Sequence, residues 1–316
     1  MKRLLSFWVI TVLIITTGCH KEAKRPPATL SDAEKKFAEI CRNEHKLNVQ
    51  VYDATNTVWV YLPMEEDLID YHGTPRINET KTKKQFVLST FEGDFKDAQY
   101  RFLLDLTDGI KTTKDQGYKS DATEAFIKNR LLLYSTISQV FFELEKDKAP
   151  EFIAVVIGNV KKGVAYKSIL NLNDYKLYRS DALTSEEYNL REISELYGDD
   201  RLIGDNEGKS LDIKPIEWSW FLIEQVKNRV NFKFLRSDFP PKEDTVIAIA
   251  SIIADTFRYY EYGNYSAVLI KDIRNRTSYR FDKPQLATFE ETAGNVHPPN
   301  IKIQYLTPPQ PAAAAP

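Results

Sequence analysis

The 316-residue sequence is poor in the residues that usually announce chemistry: two cysteines, four histidines, two methionines and twelve glycines. Two cysteines exclude the disulfide framework by which small secreted domains make up for a thin core. The histidines (His20, His45, His72 and His297) show no His-x-x-x-His or Cys-His spacing, which excludes a zinc site of conventional type. No Gly-x-Ser-x-Gly marks a nucleophile turn. The 43 basic and 45 acidic residues nearly cancel, so no basic excess points to nucleic acid. No apolar run approaches the roughly 20 residues that span a bilayer. Apolar side chains, in contrast, are plentiful. Hydrophobic residues make up 42% of the chain, with 17 Tyr and 17 Phe, enough for a real core and too many for a wholly disordered chain.

The first nineteen residues carry the clearest pattern. Lys2 and Arg3 form a basic start, Leu4 to Ile15 is apolar except Ser6 and Thr11, and Thr16-Thr17-Gly18 leads small residues up to Cys19. That order is the layout of a secretory signal peptide. A cysteine directly after small residues resembles the lipobox of bacterial lipoproteins. Gly18 and Cys19 match it well and Thr17 acceptably, whereas Thr16 stands where an apolar residue is usual. The resemblance implies cleavage before Cys19, a diacylglyceryl group on its sulfur and acylation of its freed amine. Stable anchoring takes two membrane signals, and two or three chains meet that need without a spanning helix. An Asp at position 20 would mark inner-membrane retention in diderm bacteria; His20 stands there, which favours the outer membrane. His20-Lys21-Glu22-Ala23-Lys24-Arg25-Pro26-Pro27 reads as a charged tether that can touch anionic headgroups.

Ser31 with Glu34 forms a capping box, and Phe37, Ile40 and Leu47 make the apolar stripe of a helix. Cys41 lies on it and reads as a small buried hydrophobe, with a reactive thiol as the other reading. Val49–Tyr52 and Thr57–Leu62 flank a polar turn at Asn56, a hairpin signal. Glu65-Glu66-Asp67 reads as the acidic first turn of a helix. A long helix is expected over 121–144 with Asp121 as cap, strands over 152–160 and 164–172, and short helices over 174–179 and 186–197. A helix follows Pro215, and another runs over 243–262, its small Ala248, Ala250 and Ala254 marking it as buried. A final hairpin spans 266–281.

A helix followed by a hairpin thus occurs three times. The last two copies align without gaps at an offset of 113: Ala154-Val155 with Ala267-Val268, Ile157 with Ile270, Val160 with Ile273 and Tyr166 with Tyr279. The pattern reads as a duplicated αββ unit, each hairpin hiding its apolar face under its helix. The expected organisation is a signal peptide over 1–18, lipidated Cys19 and tether over 19–29, and an α+β region over 30–118. A second α+β region with the repeat (119–180 and 240–285) covers 119–294. A disordered Pro/Ala tail covers 295–316.

Several motifs fail on inspection. Gly204-Asp205-Asn206-Glu207-Gly208-Lys209-Ser210 resembles a phosphate loop, but it has three residues between its glycines instead of four, and no helix follows until Pro215. Asp199, Asp200, Asp205, Glu207 and Asp212 crowd one segment, yet Ser210 stands where a calcium loop needs glycine, so a solvated acidic loop is expected. Asp70-Tyr71-His72 offers a dyad without a nucleophile. The aligned hairpin tips, Lys161-Lys162 and Arg274-Asn275-Arg276, are basic. They read as turn residues in water or as positive prongs for an acidic partner. Arg258-Tyr259-Tyr260-Glu261-Tyr262 reads as rim packing.

The expectation is therefore an α+β fold, with helices packed on antiparallel hairpins, held at the bacterial cell envelope through Cys19. Its role is read as non-catalytic: binding, scaffolding or assembly with an envelope protein or glycan through Lys161, Lys162, Arg274 and Arg276. Strand edges suited to strand addition fit that role. No catalytic residue, metal ligand, cofactor, nucleotide or nucleic acid is assigned. The alternative is an envelope hydrolase whose site is assembled from residues distant in sequence.

Overall fold

A computed structural model describes residues 31–72, 78–79, 84–110, 114–115, 119–235 and 245–289. The signal, the tether and the Pro/Ala tail lie outside them.

Helix α1 (Asp32–Asn43) begins at the expected capping box: Ser31 N donates to Glu34 Oε2 at 2.6 Å and Glu34 N to Ser31 Oγ at 3.3 Å. Strands β1 (Gln50–Ala54) and β2 (Thr57–Met64) come next as a tight hairpin. Glu65-Glu66-Asp67 is not a helix start but the turn out of β2. Asp67 serves that turn by accepting from Asn159 Nδ2 at 2.9 Å, so its acids have a local partner other than a helix dipole.

Three antiparallel strand pairs follow among the described residues. Their outgoing strands are β3 (Ile69–His72), β4 (Asn78–Glu79) and β5 (Lys84–Lys96). Their returning strands are β6 (Gln99–Ile110), β7 (Lys114–Asp115) and β8 (Lys119–Ala122). They pair as β5 with β6, β4 with β7 and β3 with β8. The turn between β5 and β6 is Asp97-Ala98, both at positive φ (54° and 57°). Such a turn matches the twist of the flanking strands but usually calls on Asn and Gly.

Helix α2 (Glu124–Phe141) is capped by Thr123, whose Oγ1 accepts from Phe126 N at 3.2 Å. The expected cap, Asp121, is used in β8 instead. Strands β9 (Phe152–Asn159) and β10 (Val164–Asn171) form the expected hairpin, and α3 (Leu172–Arg179) and α4 (Ser185–Arg191) succeed it. The helix expected over 186–197 stops at Arg191. Residues Ile193–Gly198 are strand β11, paired antiparallel with β10. Helices α5 (Trp218–Leu235) and α6 (Thr245–Tyr259), the hairpin β12 (Ala267–Asp272) and β13 (Thr277–Asp282), and the short α7 (Lys283–Ala287) complete the described chain.

Two mixed sheets result, in the orders β1-β2-β9-β10-β11 and β13-β12-β6-β5. Each holds two hairpins joined through one parallel pair, β2 with β9 and β6 with β12. A boundary at 118/119 would cut both sheets, because each combines strands from both sides of it. The sheets are copies of one plan. Trp59 pairs with Ala154, and Gln99 with Ala267. Asn159 closes against Val164, and Asp272 against Thr277. Val160 N donates to Met64 O and Ile273 N to Leu104 O, both at 2.9 Å. Gly163 and Arg276, at matching positions in the two turns, both have positive φ. The offset of 113 is thus a shared backbone geometry.

The layers alternate. Helices α1 and α2 cover one face of the first sheet, around Val60, Leu62, Val155 and Ile157. Helix α5 is wedged between the two sheets. Its Phe221 packs against Phe152 (4.9 Å between ring centres) on the back of the first sheet, while Leu222, Val226 and Val230 join α6 over Tyr100, Phe102 and Ile270 of the second. The back of the second sheet has no helix on it among the described residues. Glu92, Asp94 and Lys271 are exposed there, and Leu103 and Leu269 are half-buried. Among those residues no helix is long and apolar enough to cross a membrane.

Candidate functional site

Folding brings together two buried clusters of ionisable side chains. The first surrounds Glu192, between α4 and β11. Its Oε1 lies 2.8 Å from Arg130 Nη2, 2.7 Å from the Tyr134 hydroxyl, 3.0 Å from the Tyr166 hydroxyl and 2.6 Å from Ser168 Oγ. Tyr134 also lies 2.9 Å from Ser168 Oγ. The Arg130 guanidinium stacks over the rings of Tyr134 (5.0 Å) and Tyr166 (5.2 Å). Burial, reinforced by the Glu192 charge, pushes the Tyr134 phenol well up and that of Tyr166 up to about 12. A carboxylate oxygen offers about two lone-pair sites, and four donors more than fill them. Glu192 is an anchor joining α2, β10 and α4. Two buried atoms close by have no partner among the described residues, Arg130 Nε and the Tyr188 hydroxyl.

The second cluster joins the two halves of the molecule. Asp174 on α3, 2% exposed, accepts from Arg191 Nη1 (3.0 Å), the Tyr259 hydroxyl (3.0 Å) and the Tyr260 hydroxyl (2.6 Å). Arg191 Nε donates to Glu187 Oε1 at 2.7 Å, and its guanidinium lies 3.2 Å from the ring centre of Tyr259. Arg229 of α5 donates to the other Glu187 oxygen at 3.4 Å, and the Gln225 side-chain amide to the carbonyl of Arg191 at 2.5 Å. Burial raises the Asp174 carboxyl above its ordinary range, partly offset by Tyr260 and Arg191. Burial also acts to raise Glu187, but Arg229 and Arg191 outweigh it and hold that carboxyl low. The tyrosines read as rim packing thus clamp α6 to α3 and α4.

The loop over 204–210 holds an anion of its own. Asp205 Oδ1 accepts from Glu207 N and Lys209 N, both at 3.1 Å, and Oδ2 from Ser210 N (2.8 Å) and Ser210 Oγ (2.6 Å). Burial opposes ionisation of Asp205, but these donors win and lower its pKa. The loop is fastened to the back of the first sheet by Tyr61, whose hydroxyl donates to Asp205 O at 2.6 Å, and by Trp59 Nε1 to Lys214 O at 2.8 Å. A polar hollow of about 860 Å³ lies over it, lined by Arg201, Asp205, Lys209 and Asp212. No group of His, Cys, Asp and Glu among the described residues is arranged to hold a metal ion.

The two basic tips singled out in the sequence belong to different sheets. Lys161 Nζ faces Glu65 Oε2 at 2.8 Å and Lys162 Nζ faces Asp67 Oδ2 at 2.6 Å. Arg274 and Arg276 are exposed on the β12–β13 turn. Asp70, Tyr71 and His72 lie on β3, and the side chains of Tyr71 and His72 are outside the described residues. Cys41 is buried, with its thiol pushed up to about 11 by desolvation against a weaker hydrogen bond with Thr136. Cys19 lies outside the described residues. Sequence reading misses Glu192 and Asp174 because their partners stand up to 86 positions away. No family model matches the chain, and no curated protein or solved structure is significantly similar to it.

Proposed function

We propose that this chain is a lipid-anchored, non-catalytic docking module of the bacterial cell envelope, tethered through Cys19. Diacylation of Cys19, a charged tether and a protein body beyond it would hold a binding surface close to the membrane. His20 in place of Asp favours the outer membrane. The carrying observation is the back of the second sheet, which no helix covers among the described residues. The same face of the first sheet is buried under α5 and the 199–216 segment, whereas Leu103 and Leu269 of the second stand among Glu92, Asp94, Arg101 and Lys271 without a covering layer among the described residues. An apolar centre with a mixed charged rim is the make-up of a partner surface. The Arg274 and Arg276 tip at its margin would meet acidic groups on an envelope protein or glycan.

Two measurements test the reading. Cells given tritiated palmitate should yield a labelled product, and Cys19→Ser should abolish both labelling and membrane fractionation. Crosslinking from residue 103 or 269 in whole cells should capture a defined envelope partner. An unlabelled product would remove the anchor. Recovery of no partner, together with hydrolysis of glycans or peptides by the purified protein, would replace docking with catalysis.

A further inference from the structure

Large apolar side chains exposed singly on a surface mean little. Three stand together where α2 overhangs the outermost strand of the first sheet: Ile127 is 45% exposed, Leu131 65% and Leu196 47%. Helix α2 turns Thr136 towards Cys41 of α1 on one flank, and Arg130 and Tyr134 towards Glu192 on the other. At about 3.6 residues per turn, Ile127 and Leu131 fall on that second flank, beyond Tyr134. Leu196 shares their side of the sheet, because it pairs with Tyr166, whose ring meets Phe126 of α2 at 5.2 Å.

The backbone beneath this cluster is an edge. Ser194, Glu195 and Leu196 are exposed, and among the described residues no strand pairs with the outer side of β11. Asp199 N donates to Gly163 O at 2.7 Å, which fixes the phase of the ladder between β10 and β11. Bonding residues alternate along an antiparallel strand. Ile193, Glu195 and Tyr197 therefore bond to β10, and Ser194, Leu196 and Gly198 direct their amides and carbonyls outwards.

We propose that β11 pairs antiparallel with β11 of a second copy of this chain, about a two-fold axis through Leu196, so that one continuous sheet runs through both copies. An axis perpendicular to the sheet keeps both α2 helices on one side and places a residue opposite itself. Leu196, which points its backbone outwards, suits that place. It exchanges both backbone hydrogen bonds with Leu196 of the second copy, and Ser194 does so with Gly198. The side chains complement themselves in this register. On the α2 side Leu196 meets Leu196, and Ile127 and Leu131 of each copy flank the pair. On the other side Glu195 falls opposite Tyr197 of the second copy, whose ring centre lies 5.6 Å from its own Lys167 Nζ. Glu195 already pairs with Lys167 within its copy. Each carboxylate then lies between two ammonium groups, and no like charges meet. An axis through Ser194 would instead set Leu196 opposite Glu192, whose carboxylate is committed to Arg130 and Tyr134. The pairing closes on itself and withdraws the edge from further strand addition. The contact is short, so the dimer belongs with weak interfaces of less than about 1,200 Å² and depends on concentration.

The full-length chain carrying Cys19→Ser retains one cysteine, the buried Cys41. In that background Leu196→Cys should form a disulfide between chains under mild oxidation at least tenfold faster than Ser194→Cys. Facing Cα atoms of a bonded pair are about 5.5 Å apart, within disulfide reach, whereas Ser194 is displaced from Ser194 of the second copy by four residues, about 14 Å along the strand. Sedimentation of the unoxidised chain should show a monomer–dimer equilibrium. Leu196→Asp, at an exposed position, should weaken it at least tenfold and leave the circular dichroism unaltered. Equal oxidation rates, a parent chain that stays monomeric into the high micromolar range, or dimerisation unchanged by Leu196→Asp would overturn the proposal. A monomer that instead takes up an extended segment of another envelope protein along β11 would refute the second copy as occupant.

Discussion

Asp174→Ala and Arg191→Met, made singly and together, address what holds the two halves of the molecule in register. Asp174 accepts three hydrogen bonds, from Arg191, from Tyr259 at the end of α6 and from Tyr260 just beyond it, and is 2% exposed. Breaking a buried ion pair by removing one partner costs about 3–5 kcal/mol, because the other charge stays buried. In Asp174→Ala the abandoned charge is Arg191, which keeps Glu187 at 2.7 Å. That places the loss at the low end, about 3 kcal/mol, including the orphaned Tyr260 hydroxyl. Arg191→Met strands Asp174 among two phenols, and should cost about as much. The double variant leaves neither charge behind and should be less destabilised than the sum of the singles by at least about 1 kcal/mol.

Urea unfolding followed by tryptophan fluorescence suits the assay. Trp218 packs against Phe152 and Tyr260 at the joint, and circular dichroism reports on both halves. In the parent chain the two signals should coincide. In Asp174→Ala the loss falls on the contact between the halves, and the transitions should separate. Additivity of the single effects within about 0.5 kcal/mol, with transitions still coincident, would refute the clamp.

Cys41, with its thiol raised to about 11, should resist iodoacetamide at pH 8 in the folded protein and react at once in urea. Its folded value lies above the ordinary 9.0, so its contribution, about 3 kcal/mol, is fully present below pH 9 and is lost as the pH rises towards 11; Cys41→Ala should remove that alkaline loss in pH-dependent melts. Glu187 shifts the other way: its share is present above its ordinary 4.5 and lost as the pH falls below that, and Glu187→Gln should flatten the acid limb of the same curve. Gly208→Ala should destabilise by more than about 1 kcal/mol, since φ is 64° and the added Cβ would stand 2.9 Å from Tyr61 Cδ1. Gly204→Ala, at φ 77° with nothing within 4 Å, should show only the backbone strain, and equal melting losses for the two glycines would contradict the fastening of the loop to Tyr61. Tyr188→Phe should be neutral or stabilising, because it removes a buried hydroxyl that has no partner among the described residues.

The parts of the fold legible in the sequence are those whose signals are local. The Ser31–Glu34 box, the 152–171 hairpin and the 267–282 hairpin each advertise themselves within a few residues. The β5–β6 hairpin escapes such a reading, although Phe91 and Phe95, then Tyr100, Phe102 and Leu104, recur at period two. Its turn, Asp97-Ala98, carries none of the Asn or Gly that the positive φ values favour, so nothing in the local composition marks a hairpin. Residues 193–198 read as helix because Glu186 to Arg191 is a good first turn and a half, and only pairing with β10 makes them a strand. The clusters around Glu192 and Asp174 are out of reach for a different reason. Glu192 draws its partners from α2 and β10, and Asp174 from α4 and α6. No spacing rule relates Asp174 to Tyr260.

The copied backbone also shows how one burial problem has two solutions. In the first unit the helix beside β1 is α1, which precedes its hairpin. In the second unit the helix packed on β5 is α5, which comes more than a hundred residues after it. The sheet needs an apolar helix at that place and is indifferent to the order in which the chain delivers it. Because α5 also seals the back of the first sheet with Phe221, it serves two cores at once. That dual use shows in its burial: Phe221, Leu222, Val226 and Val230 are all fully buried. A helix committed to both sheets cannot shift against one without disturbing the other. The Asp174 clamp at its side then fixes a joint that hydrophobic packing alone would leave free to slide.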